Sequence, residues 1–130
     1  YDTRRTLSMK KINLGESQRK FAEMIWDNEP VPSGTLVKMA SEQFGWKSTT
    51  TYTVLKNLIN KGLFKNEQGT VSSVLTRKQY DSFKTEAFLR NEFKGSVTDL
   101  FLAFTETNKL SDADILSLEK LIQEKKEELQ

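Results

Sequence analysis

The sequence predicts a mainly α-helical chain with one small β-hairpin. Apolar residues recur at helical spacing along most of its length, and two short β-type runs flank a turn signal at residues 66–69. Glycine or proline stands where the helical pattern stops up to residue 95. With 130 residues, of which 36% are hydrophobic, the chain is long enough for one domain or for a small domain with an appendage.

The composition excludes several classes of protein. No apolar run approaches the roughly 18 residues of a membrane span, and no signal-peptide core is present, so we expect a cytoplasmic protein without membrane insertion. The chain has no cysteine, which excludes disulfides and thiolate metal sites, and no histidine, which removes the usual general base. We therefore expect no enzymatic activity, no metal site and no cofactor.

Charge is unevenly distributed along the chain. Residues 1–95 contain 16 Lys and Arg against 10 Asp and Glu, whereas residues 96–130 contain 4 against 8. A basic first part and an acidic last part suit a chain whose first part meets a polyanion. Chance asymmetry in a small protein is the alternative explanation.

The first two helices are predicted from periodicity and from the residues that stop them. Residues 1–11 show no periodicity and are expected to be a flexible arm or foreign to the natural chain. A helix is predicted at 16–28, and the prolines of "EPVPSG" end it. Ser33 is the expected N-cap of a second helix, which Gly45 ends.

A third helix is predicted within "GWKSTTTYTVLKNLINKGL", residues 45–63, despite its run of threonines. At about 100° per residue, one narrow arc of this helix contains Thr51, Leu55, Leu58, Ile59 and Gly62. Ser48 is the expected N-cap. A threonine-rich strand is the weaker alternative, because the apolar residues at 55, 58 and 59 break its alternation.

A small hairpin follows this helix, with strands expected at 63–65 and 70–75. Three helices followed by a two-stranded ribbon is the order of a winged helix-turn-helix, in which the second and third helices form the DNA-binding pair. We therefore expect a winged helix DNA-binding domain at residues 12–80.

The face of the third helix opposite its apolar arc is polar, and residues 43–66 contain no Asp or Glu. Short hydroxyls fit a major groove about 12 Å wide, where carboxylates would be repelled and lysines bind phosphates. A merely solvated polar helix is the alternative. The DNA contacts predicted from this face and from its flanking lysines are Lys47, Thr49, Thr50, Tyr52, Thr53, Lys56, Lys61 and Lys65.

Residues 81–130 are predicted to form a helical dimerisation domain. Their helices present apolar faces that about fifty residues are too few to bury alone, so a second copy is the expected partner. Twofold proteins also bind twofold DNA sites. The alternative is that these helices fold back onto the N-terminal core. The predicted interface residues are Val97, Leu100, Phe101, Phe104, Ile115, Leu118, Leu121 and Ile122.

The order of these elements, together with "GWKSTTTYTVLKNLINKGL" and "EAFLRNEFKGSVTDLFLAF", resembles the penicillinase-repressor family of bacterial winged-helix repressors. The resemblance spans residues 14–129. It implies a homodimer that represses transcription by binding double-stranded DNA at a short inverted repeat. Thr50 and Thr53 match the family pattern on the helix that touches the operator, whereas Thr49 stands where lysine is common and Tyr52 where arginine is common.

The resemblance also implies how repression would end. Antibiotic-responsive members are cleaved at an Asn–Phe bond in the fifth helix, and the matching dipeptide here is Ala103–Phe104. A membrane sensor-protease is therefore a candidate partner. Copper-responsive members carry C-terminal cysteine pairs, which this chain lacks. The competing hypothesis is a winged-helix adaptor that docks other proteins without specific DNA binding.

Overall fold

A computed structural model of the chain describes residues 13–130, so the expected arm at residues 1–11 lies outside the described part. The fold is mainly α-helical with a small antiparallel sheet, which confirms the predicted class. The elements in chain order are α1 (Glu16–Asn28), β1 (Val31–Pro32), α2 (Ser33–Phe44), α3 (Ser48–Asn60), β2 (Phe64–Glu67), β3 (Thr70–Ser73), α4 (Arg77–Phe93), α5 (Val97–Thr105) and α6 (Asp112–Glu128).

The chain divides into two compact units. The first ends at Phe88, and the second comprises Leu89–Gln130. This division and the boundary expected from sequence, between residues 80 and 81, both fall within α4.

One apolar core holds the first unit together. Helices α1, α2 and α3 bury one face each, and the strands add side chains from the ribbon, as periodicity predicts for amphipathic elements. The fully buried side chains of largest volume are Phe21, Phe64, Ile25, Leu36, Leu58, Leu63, Val71 and Thr51.

Aromatic contacts join α1 to the ribbon and to α4. The Trp26 ring lies 5.3 Å from the rings of both Phe64 and Tyr80, centroid to centroid, in tilted arrangements. The Trp26 indole Nε1–H donates to the Leu75 carbonyl at 2.9 Å, so its polar group is satisfied within the core. Arg77, at the start of α4, covers the indole with its guanidinium 5.7 Å from the ring centroid.

The sheet has a third strand that sequence analysis did not predict. Its order is β1-β3-β2, all antiparallel, and β1 pairs Val31 with Val71 and Pro32 with Thr70. The segment "EPVPSG" thus ends α1 and also forms an edge strand. Pro32 is tolerated there because an edge strand needs no N–H donor on its open side.

The two serines expected to cap helices are instead the first helical residues. Helix α2 begins at Ser33 after Pro32, and α3 begins at Ser48 after Lys47. Neither helix has a side-chain cap hydrogen bond. Gly45 ends α2 as predicted, with φ of 70°, a conformation in which a Cβ is strained.

Candidate nucleic-acid interface

Helix α3 divides into one buried face and one exposed face. Thr51, Leu55 and Leu58 are buried against the core, at 1%, 3% and 0% exposure. The opposite side is open to solvent, as the arcs of the sequence predict. The exposed residues predicted to contact DNA from α3 and the residue before it are Lys47, Thr49, Thr50, Tyr52, Thr53 and Lys56.

The Thr53 hydroxyl has a defined hydrogen-bonding role in α3. Its Oγ1 donates to the Thr49 carbonyl at 2.9 Å, one helical turn back. While that bond is held, Thr53 offers its methyl group and the lone pairs of its oxygen to the outside. Adenine N6, cytosine N4 and the thymine methyl are the matching groups of a major groove, whereas the guanine edge presents only acceptors.

Trp46 anchors the turn that leads into α3. Its ring lies 4.9 Å from that of Phe44 and 5.5 Å from that of Phe21. The left-handed Gly45 reverses the chain, and the Gly45 N–H donates to the Ser41 carbonyl at 3.0 Å. Sequence analysis did not assign Trp46 a positioning role. An aromatic residue directly after a helix-ending glycine was the available signal.

Two of the lysines predicted to bind phosphate have partners within the protein. The half-buried Lys61 donates through Nζ to the Asn13 carbonyl at 3.2 Å and to Gln18 Oε1 at 2.9 Å. Lys65 pairs with Glu67 at 2.7 Å. A phosphate that contacts either lysine therefore competes with these internal partners, whereas Lys47 and Lys56 are exposed.

The ribbon of β2 and β3 is braced at its tip and at its base. At the tip, Asn66 Oδ1 accepts a hydrogen bond from the Gly69 N–H at 2.9 Å, and Gly69 has φ of 87°. The Gly69 carbonyl in turn accepts from the Ser33 N–H of α2 at 2.8 Å. At the base, Glu29 Oε1 accepts from the Ser73 N–H at 2.7 Å. These bonds fix the ribbon of β2 and β3, which is the wing of the fold, relative to α1 and α2.

The second unit exposes much of its apolar surface. In α5 and α6, all of whose residues the structure describes, no side chain is buried. Apolar side chains exposed in this unit are Val97, Phe101, Leu102, Phe104, Ile115, Leu116, Leu118, Leu121, Ile122 and Leu129. Leu100, the remaining predicted interface residue, is half-buried. The predicted interface did not include Leu102, Leu116 and Leu129. Apolar exposure on this scale is characteristic of an interaction surface.

The dipeptide Ala103–Phe104 lies inside α5 and is exposed. Two side chains bond to the carbonyls around it. Thr105 Oγ1 donates to the Phe101 carbonyl and Asn108 Nδ2 to the Phe104 carbonyl, each at 2.8 Å. Asn108 therefore satisfies one of the carbonyls that the end of α5 leaves without a helical donor.

Residues 13–130 hold no group of three or more Asp or Glu side chains placed to bind a metal ion. None of the helices in the described part of the chain has the length and apolar character needed to cross a membrane.

A helical core, a braced β-ribbon and an exposed, carboxylate-free helix face together define a winged helix-turn-helix of the DNA-binding class. The profile of the penicillinase repressor family matches residues 14–124, and the chain belongs to that family. Over 123 residues the chain is 27% identical to the penicillinase repressor of Bacillus licheniformis, an alignment that covers 91% of this chain and 96% of that protein.

The family confirms the resemblance that the sequence motifs indicated. The chain is a DNA-binding regulator of transcription with the role of a repressor. Proteins of this family are generally regulators rather than enzymes.

Proposed function

We propose that this chain acts as a homodimer that represses transcription by binding an inverted-repeat operator, with α3 of each protomer in a major groove. The observation that carries the proposal is the division of α3. Thr51, Leu55 and Leu58 hold one face in the core, which leaves the carboxylate-free face available to DNA.

The residues in and around α3 differ in the part of the DNA that they contact, according to their chemistry. Thr49, Thr50, Tyr52 and Thr53 contact base edges. The threonine hydroxyls and methyl groups are short enough to let the helix approach the groove floor, and Tyr52 adds a longer side chain with a phenolic hydroxyl. Phosphates are bound by Lys47 and Lys56, and also by Lys61 and Lys65 when their internal partners are exchanged for DNA.

Dimerisation through residues 81–130 accounts for the exposed apolar side chains of α5 and α6. A second copy that presents the same surface would cover them in an isologous, twofold contact. The expected contacts are Val97, Leu100, Phe101, Phe104, Ile115, Leu118, Leu121 and Ile122. The same symmetry would place two copies of α3 on the two half-sites of an inverted repeat.

Cleavage between Ala103 and Phe104 by a membrane sensor-protease is the proposed route to release. The bond lies within α5, so local unfolding must open the helix before the backbone is accessible. Cleavage would separate Phe104 and all four predicted interface residues of α6 from the part of the chain that carries α3. Dimerisation and operator binding would then be lost together.

In vitro selection from a random DNA pool, with the full chain as bait, tests the proposed function. We expect one inverted repeat to be enriched and to bind with a Kd of about 10⁻⁸ M or tighter, with affinity falling steeply as salt rises. Heparin retention is also expected, because the exposed lysines of the DNA face form a basic surface.

The Thr53→Glu variant should lose operator binding, because it places a carboxylate between two rows of phosphates. Thr85→Glu is the matched control: Thr85 is exposed on α4, and its Oγ1 donates to the Asp81 carbonyl at 2.7 Å, as Thr53 does to Thr49. Binding that is indifferent to DNA sequence and to the Thr53 change would contradict the proposal and favour a protein-docking adaptor.

A further inference from the structure

One ion pair lies on the solvent face of the wing. Lys65 Nζ and Glu67 Oε1 are 2.7 Å apart, and both side chains are more than half exposed. The two residues are two positions apart on β2, so their side chains project from the same face of the strand. Their cross-strand partners on β3 are Ser72 and Thr70, so this face of the ribbon is otherwise formed by short hydroxyls.

Glu67 is the sole carboxylate in a long stretch of the sequence. Between residues 43 and 80 the chain contains no other Asp or Glu. The hydrogen bond from Lys65 and its positive charge hold the pKa of the Glu67 carboxyl below its usual range. The group is therefore ionised at neutral pH, and its negative charge offsets the charge of the wing lysine.

The backbone of the wing keeps this pair in place. The Asn66–Gly69 bond closes the turn beside Glu67, and the Ser33–Gly69 bond fixes the turn against α2. A phosphate beside the wing must therefore compete with the Glu67 carboxylate for the Lys65 ammonium, which lies 2.7 Å from that carboxylate.

We propose that Glu67 limits the affinity of this protein for DNA by holding Lys65 in an ion pair on the wing. Glu67 acts as a positioning residue for Lys65 and does not itself contact DNA. The inference rests on the proposed function, in which the wing lies beside the phosphate backbone. Because phosphate contacts are independent of sequence, the effect of Glu67 is the same on an operator and on random DNA.

Four proteins test this inference: the wild type, Glu67→Gln, Lys65→Met and the double variant. Each is titrated with the selected operator and with a duplex of random sequence, at several salt concentrations. Glutamine keeps the size of the side chain without its charge, and methionine keeps the apolar stem of lysine. Both substituted positions are exposed, so the fold should be unchanged. Thermal unfolding of each variant verifies this.

Glu67→Gln should bind both duplexes more tightly and with a steeper dependence on salt. One additional phosphate contact changes the slope of log K against log salt by about −0.9 for each protomer bound. The gain in affinity should therefore shrink about threefold per protomer when the salt concentration is raised fourfold. In the double variant, Lys65→Met should remove the gain, because no ammonium group is then left for Glu67→Gln to release to a phosphate.

Glu119→Gln, on α6 of the second unit, makes the same change in net charge outside the wing and should leave affinity unchanged. Three results would overturn the inference: no gain from Glu67→Gln, a gain that persists with Lys65→Met, or an equal gain from Glu119→Gln. The proposed function and the role of Glu67 can fail separately. A wild type that binds DNA without sequence preference would refute the proposed function. Titration with the random duplex would still test the role of Glu67.

Discussion

Threonine has two different roles on α3, according to the face on which it lies. Thr51 is 1% exposed, and its Oγ1 makes a long bond of 3.4 Å to the Lys47 carbonyl. That carbonyl also accepts from the Thr51 N–H at 3.1 Å, so it keeps a donor without the hydroxyl. Thr53 is exposed and available to a ligand.

A pair of valine substitutions separates these roles. Thr51→Val should leave DNA affinity unchanged and change the free energy of unfolding by less than about 1 kcal/mol, because no buried acceptor loses its last donor. Thr53→Val should weaken operator binding without a change in stability, because it removes an exposed oxygen. Urea denaturation and operator titration measure the two effects. A large loss of stability in Thr51→Val would contradict the assignment of its hydroxyl as dispensable.

Tyr80 should make the free energy of unfolding of the first unit fall with rising pH in the alkaline range. Burial raises the pKa of its hydroxyl above the ordinary value of 10.0, and Arg19 opposes the rise. A raised folded pKa contributes stability that is fully present below the unfolded pKa and is lost as pH rises through the folded pKa. The free energy of unfolding should therefore fall above pH 10.0, and less steeply in Tyr80→Phe. Equal slopes in urea denaturation across this range would contradict the prediction.

Two glycines, one within α2 and one directly after it, allow the stability of this helix and of its C-terminal turn to be tested. Gly34 is the second residue of the helix, and apart from its chain neighbours and the backbone of the helix itself, no atom lies within 4 Å of the position that a Cβ would occupy there. Gly45 ends the helix with φ of 70°.

We expect Gly34→Ala to stabilise the protein by about 0.5–1 kcal/mol, because alanine restricts the unfolded chain and favours the helix. Gly45→Ala should destabilise it by about 1–2 kcal/mol, because its side chain is strained in the left-handed region. Chemical denaturation of both variants measures the difference. An equal effect of the two substitutions would show that the left-handed turn is not retained in solution.

Helices were predictable from sequence, and their long-range partners were not. Periodicity places Thr51 with Leu55 and Leu58 on one arc, and all three are buried. The strand β1 was missed because two residues, one of them a proline, give no alternation to detect. The hydrogen bonds of Lys61 to Gln18 and Asn13 were also missed, because these partners lie 43 and 48 positions away along the chain.

At the scale of the whole molecule, the exposed apolar side chains of the second unit allow the proposed dimer to be tested. Leu118 lies on the apolar stripe of α6 and is 38% exposed, whereas Leu116 lies on the opposite side of the helix and is 73% exposed. These two leucines therefore form a matched pair for testing the proposed dimer.

Leu118→Glu should yield a monomer in sedimentation and weaken operator binding, with the salt dependence reduced to about half because one protomer makes half of the phosphate contacts. Leu116→Glu should remain dimeric and retain affinity. A wild-type monomer, or dissociation by both variants alike, would contradict the proposed interface. The helices of this unit and its family could be predicted from the sequence. The surface on which two copies would pair could not, because a single sequence shows only an apolar stripe.

Both tryptophans of the chain, Trp26 and Trp46, lie in the unit that ends at Phe88. Intrinsic fluorescence therefore follows that unit alone, while far-ultraviolet circular dichroism follows every helix. Melting curves from the two methods will superimpose only if both halves of the molecule unfold together. Trp46 also stands two positions before α3, so its emission offers a label-free signal when a duplex docks.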